Sequence, residues 1–160
     1  MQIKPPKGYP SDEARVELAA LWNEHPGMKH MGARLDLSQQ DEVRIIIDPL
    51  QPFHRGGLGT DAVNGAVISG VFDLVTGLSG YLHTLGRRAG VAQLNVQFLR
   101  PVLGDRFEVI GRPLRVGYNL IFTTAELTDE RGVVCARCEG IVAVSGGDKG
   151  KGGEDTPLAL

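Results

Sequence analysis

The sequence predicts an α+β domain in which an antiparallel sheet of about six strands wraps around one long central helix, with a further helix at the N-terminus. Three observations predict it. The chain has 160 residues, enough for one domain with one core. Its elements run helix, two strands, one long helix, four strands, an order without βαβ alternation. The long helix lies in the middle of the chain, where a curled sheet can close around it.

Ser11 to Glu24 has the pattern of the first helix: Ser11 as N-cap, Asp12 and Glu13 at the positive end, and Ala14, Leu18 and Leu21 on one face. His25-Pro26-Gly27 ends it. Residues 31–37 and 42–48 are expected strands, the second carrying the β-branched run Ile45-Ile46-Ile47. A loop rich in Pro and Gly spans 49–63, a length more often functional than idle in a compact domain. The central helix opens at Asn64 or Gly65 and is expected to run to about Arg87, closed by Gly90. Four strands follow, at 91–99, 106–116, 118–128 and 133–144, the last two joined by the turn Asp129-Glu130-Arg131-Gly132. The domain is expected to cover 1–145, with 146–160 a flexible Gly-rich tail. Such a sheet around such a helix is the hot-dog fold.

Composition narrows the function. A formal net charge of −2 gives no general attraction to nucleic acid or anionic membrane. No apolar run approaches the ~18 residues of a membrane span, and the first residues lack a secretory signal's apolar core, so a cytoplasmic protein is expected. Cys135-Ala-Arg-Cys138 is formally a C-x-x-C, but it has no second ligand pair and sits on a strand, where the two cysteines are expected to face opposite sides. No metal or cofactor is expected. Gly57-Leu-Gly-Thr-Asp-Ala62 imitates a dinucleotide fingerprint, yet its strand does not turn directly into a helix and no βαβ unit surrounds it.

The central helix carries the chemistry. Ala66, Gly70, Asp73, Gly77 and Gly80 fall on one helical stripe on which only Asp73 has a substantial side chain. Three glycines at about 1 kcal/mol each need compensation, from close packing or from room for a ligand. Asp73 is therefore either a surface charge on an exposed face or a working carboxylate in a site. At the other end, the first N–H groups of the helix have no intrahelical partner and suit an oxyanion; Gly65 and Ala66 leave them open and Asn64 can cap or donate. Eight positions separate Gly65 from Asp73, roughly 12 Å at ~1.5 Å per residue. Both must lie about 3 Å from one reacting carbonyl, which one helix cannot arrange. Two antiparallel helices related by a two-fold can, so the chemistry predicts a homodimer with two shared sites.

At this point the residues resemble a family. Asn64-Gly-Ala-Val-Ile-Ser-Gly-Val-Phe-Asp73 is similar to the helix start of the hot-dog acyl-CoA thioesterases related to the phenylacetate-pathway enzyme, whose pattern is His-Gly-Gly followed by an acidic residue that falls on Asp73. Leu94-Asn-Val-Gln-Phe-Leu-Arg-Pro101, Gly104-Asp-Arg-Phe, Gly117-Tyr-Asn-Leu-Ile-Phe and Cys138-Glu-Gly-Ile-Val-Ala-Val144 resemble its remaining strands, over 26–144 in all. The resemblance implies metal-free hydrolysis of an acyl-CoA or aryl-CoA thioester by dimers or tetramers. Asp73 would be nucleophile or general base and the N–H of Gly65 or Ala66 the oxyanion donor. The CoA phosphates would lie near Arg87, Arg88, Arg100 or Arg115, unless these are only solvated charges.

Two departures follow. The family's His is Asn64 here, which can orient a carbonyl but carries no proton, and its second Gly is Ala66. His54 is a candidate to fold back into the pocket as a replacement imidazole; His25, His30 and His83 have no ligand-like spacing. No histidine stands near Asp73 on the helix, which argues against dehydratase chemistry. A non-catalytic acyl-CoA-binding module and a purely structural oligomer are the readings from other classes.

Overall fold

A computed structural model describes residues 1–145. The Gly-rich stretch 146–160, expected to be a flexible tail, lies outside the described residues.

Helix α1 (Asp12–Asn23) begins where its cap requires, with the Ser11 hydroxyl accepting from the Ala14 N–H at 3.3 Å. Its buried face is Arg15, Leu18 and Ala19, with Trp22 half-buried; Leu21, expected inside, is 52% exposed. Arg15 sets that rotation. Its guanidinium donates to Leu37 O at 3.0 Å and to Pro10 O at 3.4 Å, and pairs with Asp12 at 3.0 Å, so a buried charge arrives with its partners. Pro26 ends nothing further: it opens a second short helix, α2 (Pro26–His30), at a first-turn position where its missing N–H costs no bond. The first strand is shortened accordingly.

Strands β1 (Ala33–Asp36), β2 (Val43–Ile47), β4 (Phe107–Val116), β5 (Leu120–Asp129), β6 (Val134–Val144) and β3 (Ala89–Phe98) form, in that order, one six-stranded antiparallel sheet. In the turn before β6, Asp129 accepts at its carbonyl from Gly132 N–H at 2.9 Å, and Gly132 takes φ +77°. A bulge beside Cys135 resets the strand's alternation, so Cys135 and Cys138 are both buried in the core and not on opposite sides. Burial raises both thiol pKa values.

Helix α3 (Gly65–Tyr81) crosses the sheet and buries Ile68, Val71, Phe72, Val75 and Leu78 against it. It stops six residues short of the expected end, because the following turn puts Leu85 and Gly86 at φ +55° and +81°. Gly90 consequently belongs to β3. The helix sits unusually low on the sheet. A Cβ on Gly111 of β4 would lie 2.1 Å from Val75 Cγ1, and one on Gly140 of β6 would lie 2.5 Å from Thr76 Cγ2. Gly80, assigned from sequence to the open stripe, also packs inward: a Cβ there would meet Val142 at 2.7 Å.

This seating makes a direct stability prediction. Gly111→Ala should cost about 1–3 kcal/mol by overpacking. Gly8→Ala, where nothing lies within 4 Å, should stay within about 0.5 kcal/mol. Urea unfolding of both variants measures the difference.

Candidate active site

The α3 N-terminus is built by its flanking loop. Asn64 N–H donates to His54 O at 2.8 Å, which fixes the entering chain, and Asn64 Oδ1 accepts from Ala66 N–H at 2.8 Å. The cap has a chemical consequence: Ala66, one of two proposed oxyanion donors, already spends its N–H. Gly65 N–H has no partner among the described residues, and the half-buried Gly65 opens onto a groove of about 760 Å³. Ile68, Phe98 and Val102 line its apolar wall, and Leu58, Thr60 and Arg100 lie at the loop side.

Asp73 lies two turns along. It is exposed, and its carboxylate makes no hydrogen bond or ion pair among the described residues. It borders a second cavity of about 190 Å³ with Gly77, Tyr81, Trp22, Ala89 and Gly90. Gly70 and Gly77 keep their places on the stripe, facing Met31 and Val91 at 3.5 and 3.4 Å from where a Cβ would stand.

The two features are thus not joined within one subunit. Gly65 lies at one cavity and Asp73 at the other, roughly 12 Å apart along the axis. Strand β3 connects them. It runs antiparallel to the helix, with the Phe98 ring 3.5 Å from the Cβ position of Gly65 and Val91 beside Gly77. Its far side pairs with no strand among the described residues, and seven of its ten residues are exposed.

Other expected site residues fall elsewhere. His54 is buried at 2% exposure and reaches neither cavity. Its Nδ1 accepts from Gln51 N–H at 2.9 Å and its Nε2 lies 2.9 Å from Met31 O, so the ring braces the loop. Arg100 lines the larger groove while one nitrogen donates to Val134 O at 2.8 Å. Arg88 and Arg115 are exposed and outside both cavities, and Arg87 stacks over Tyr118 at 4.1 Å. Sequence reasoning missed Trp22, Tyr81 and Phe98. Trp22 follows Leu18 by four positions, and that spacing was the available signal. Among the described residues no group of three His, Cys, Asp or Glu is placed to hold a metal, and no helix is long and apolar enough to cross a membrane.

The family model of the thioesterase superfamily matches residues 61–136, from the loop before α3 into β6. The matched segment, just under half of the chain, is similar to that superfamily. Solved structures share this chain's hot-dog fold. A Shewanella oneidensis protein related to the superfamily aligns with TM-score 0.70 at 22% identity, covering 83% of this chain and 96% of its own. Zebra fish thioesterase superfamily member 2 gives 0.68 at 15%, covering 86% and 99%. The PaaI protein of the E. coli phenylacetic acid degradation operon gives 0.68 at 12%, covering 84% and 94%. No curated protein matches the sequence.

Beyond α3, His83 lies 3.6 Å from Asp41 and stacks on Tyr9. Burial holds its imidazole pKa below 6.5, although Asp41 pulls the other way. A lowered folded-state pKa contributes stability that is complete above about pH 6.5 and is lost as pH falls through the folded value. Unfolding free energy should therefore decline as pH drops from 7 toward 5, and His83→Gln should flatten that slope in urea titrations at each pH. Asn64→Ala should cost about 1 kcal/mol through loss of the cap.

Proposed function

We propose that the protein hydrolyses acyl-CoA thioesters in two sites shared across a homodimer. The observation that carries this reading is the position of the two cavities at opposite ends of one edge strand. Cavity-lining Phe98 ends β3, and Ala89, Gly90 and Val91 begin it. A long free edge is a template for pairing. Antiparallel pairing of β3 with its two-fold copy sets the end of one strand beside the start of the other. The groove at Gly65 of one subunit then faces Asp73 of its partner.

In that arrangement Gly65 N–H, at the positive end of α3, receives the thioester oxygen as it gains charge. Asp73 attacks the carbonyl carbon, or takes the proton of a water that attacks. The C–S bond breaks and CoA leaves as thiolate, which is protonated; where Asp73 is the nucleophile, water then hydrolyses the mixed anhydride it has formed, and the acid is released. The larger groove accommodates the pantetheine arm, with Arg100 at its loop side for phosphate. The exposed Asp73 carboxylate needs no partner to be released before it reacts. Dimers, or dimers of such dimers, satisfy this geometry, and the reaction requires no cofactor besides the CoA ester itself.

Free-thiol release from a panel of acyl-CoAs tests the activity. Asp73→Asn should lower kcat on the order of 10²–10⁴-fold. Gly65→Pro should remove the donor while sparing the helix, since proline suits the first helical position and Asn64 already has an extended ψ of 134°. A loss of 10²–10³-fold in kcat is expected. Mixing the two variants under conditions that exchange subunits should restore activity, because a mixed dimer regains one intact site. Two active variants, or a mixture as inactive as its components, would overturn the shared site. Thermal stabilisation by acyl-CoA without any thiol release would indicate a binding module instead.

A further inference from the structure

The formal net charge of −2 describes the chain as a whole and conceals a segregation along it. Residues 82–104 contain three arginines and residues 109–125 two, and neither stretch has an Asp or Glu. The fold brings parts of both together at one end of the sheet. The turn after α3 carries Leu85, Arg87 and Arg88, and the β4–β5 hairpin turns at Gly117-Tyr118-Asn119. Arg87 stacks over the Tyr118 ring at 4.1 Å. Asn119 O accepts from Val144 N–H and Arg88 O from Ser145 N–H, both at 2.8 Å, so the end of β6 ties the two turns to each other. From the N-terminal segment, Lys7 lies against the same place, its Cγ 3.5 Å from where a Cβ on Gly86 would stand.

This end of the sheet is apolar and cationic at once. Leu85, Val116, Tyr118 and Leu120 are all exposed, from 43% at Leu120 to 66% at Tyr118. Leu85 is exposed at φ +55°, a conformation leucine rarely adopts, so the turn maintains that exposure against the residue's own preference. Lys7, Arg88 and Arg115 are exposed as well, and with Arg87 they form no ion pair among the described residues. Elsewhere arginines are neutralised: Arg44 and Arg112 share Glu42, Arg131 holds Asp129 and Arg137 holds Glu126. The unpaired positive charge therefore gathers where the leucines and the tyrosine are bare, and a grouping of that kind marks an interaction surface.

We propose that this end of the sheet docks on an anionic lipid membrane. Two neighbouring loop tips present the residues, a shape that enters a soft layer and offers no groove to grip a helix or strand. The leucine side chains and the Tyr118 ring enter the headgroup boundary, where a phenol keeps its hydroxyl wet and its ring buried. Arg88, Arg115 and Lys7 extend to the lipid phosphates, and each cation so placed raises partitioning on the order of fivefold. Arg88 leads directly into Ala89 and Gly90, which border the cavity beside Asp73. Docking thus keeps that cavity close to the lipid surface, where amphiphilic acyl chains concentrate. The docking itself does not depend on the hydrolase reading.

Flotation of the full chain with vesicles tests this. Partitioning onto phosphatidylcholine vesicles containing about one-third phosphatidylglycerol should exceed that onto pure phosphatidylcholine about tenfold or more, and high salt should remove most of the difference. Tyr118→Ser combined with Leu120→Ser, both at exposed positions, should lower anionic partitioning about tenfold. Thiol release by that variant from a soluble acyl-CoA without vesicles should stay at the wild-type rate. Arg88→Gln combined with Arg115→Gln should remove most of the preference for anionic vesicles, and Tyr118→Trp should add emission that shifts to the blue when such vesicles are present. No preference for anionic vesicles, or wild-type partitioning by the serine variant, would overturn the proposal. A serine variant that sediments as a smaller oligomer would make the patch a contact between copies and defeat it. Equally strong binding to polyglutamate with no blue shift on vesicles would point to an acidic protein and also defeat it. Vesicle docking without thiol release from any acyl-CoA would keep the docking and remove the hydrolase reading.

Discussion

The contact on which the rest depends is the close seating of α3 on the sheet. Gly111 and Gly140 provide it by having no side chain where Val75 and Thr76 press against the strands. Gly80 repeats the device from the helix side against Val142. A helix held this low leaves little room for rotation about its own axis, because a turn in either direction drives a side chain into backbone. The phase of the helix is therefore fixed by the sheet. Everything exposed on its other face is fixed with it, including the direction in which Asp73 points.

The site follows from that phase and from the edge of the sheet. Because β3 runs antiparallel to α3, the two ends of the helix and the two ends of the strand are matched, and a cavity lies at each match. Asn64 sharpens the first of them. By capping Ala66 it leaves Gly65 as the available donor at the helix start, so the cap that stabilises the helix also chooses which amide faces the groove. At the second cavity, α1 contributes Trp22 because Arg15 holds that helix in one rotation against Leu37 O and Pro10 O. A buried guanidinium outside both cavities thus sets one of the rings that border the second.

Much of this was legible in the residues. The caps at Ser11 and Asn64, the strand runs, the Asp129–Gly132 turn and the stripe around Asp73 are local signals, and local physics governs them. Misreadings arose where tertiary contacts decide. The helix end at Tyr81 is hidden because Leu85 takes a left-handed conformation that leucine does not favour, so nothing in the apolar pattern announces the stop. Leu21 and Trp22 are adjacent apolar residues, and only the Arg15 anchor selects which one turns inward. Gly80 reads as part of an open stripe until Val142 occupies the space before it. His54 looks like spare chemistry in a glycine-rich loop until both ring nitrogens find partners. Cys135 escapes strand alternation through a bulge that sequence does not mark.

The two faces of α3 also stand under different rules for change. Against the inner face, a methyl group added at Gly111 or Gly140 meets the Val75 or Thr76 side chain at 2.1 or 2.5 Å, so substitution there is resisted by the fold itself. On the opposite face, Gly70 and Gly77 have neighbours at ordinary van der Waals distance, and Ala66 and Asp73 are exposed. A lineage carrying this helix can rework that face, one residue at a time, without loosening the scaffold. Durability and innovation are kept apart by half a turn of one helix.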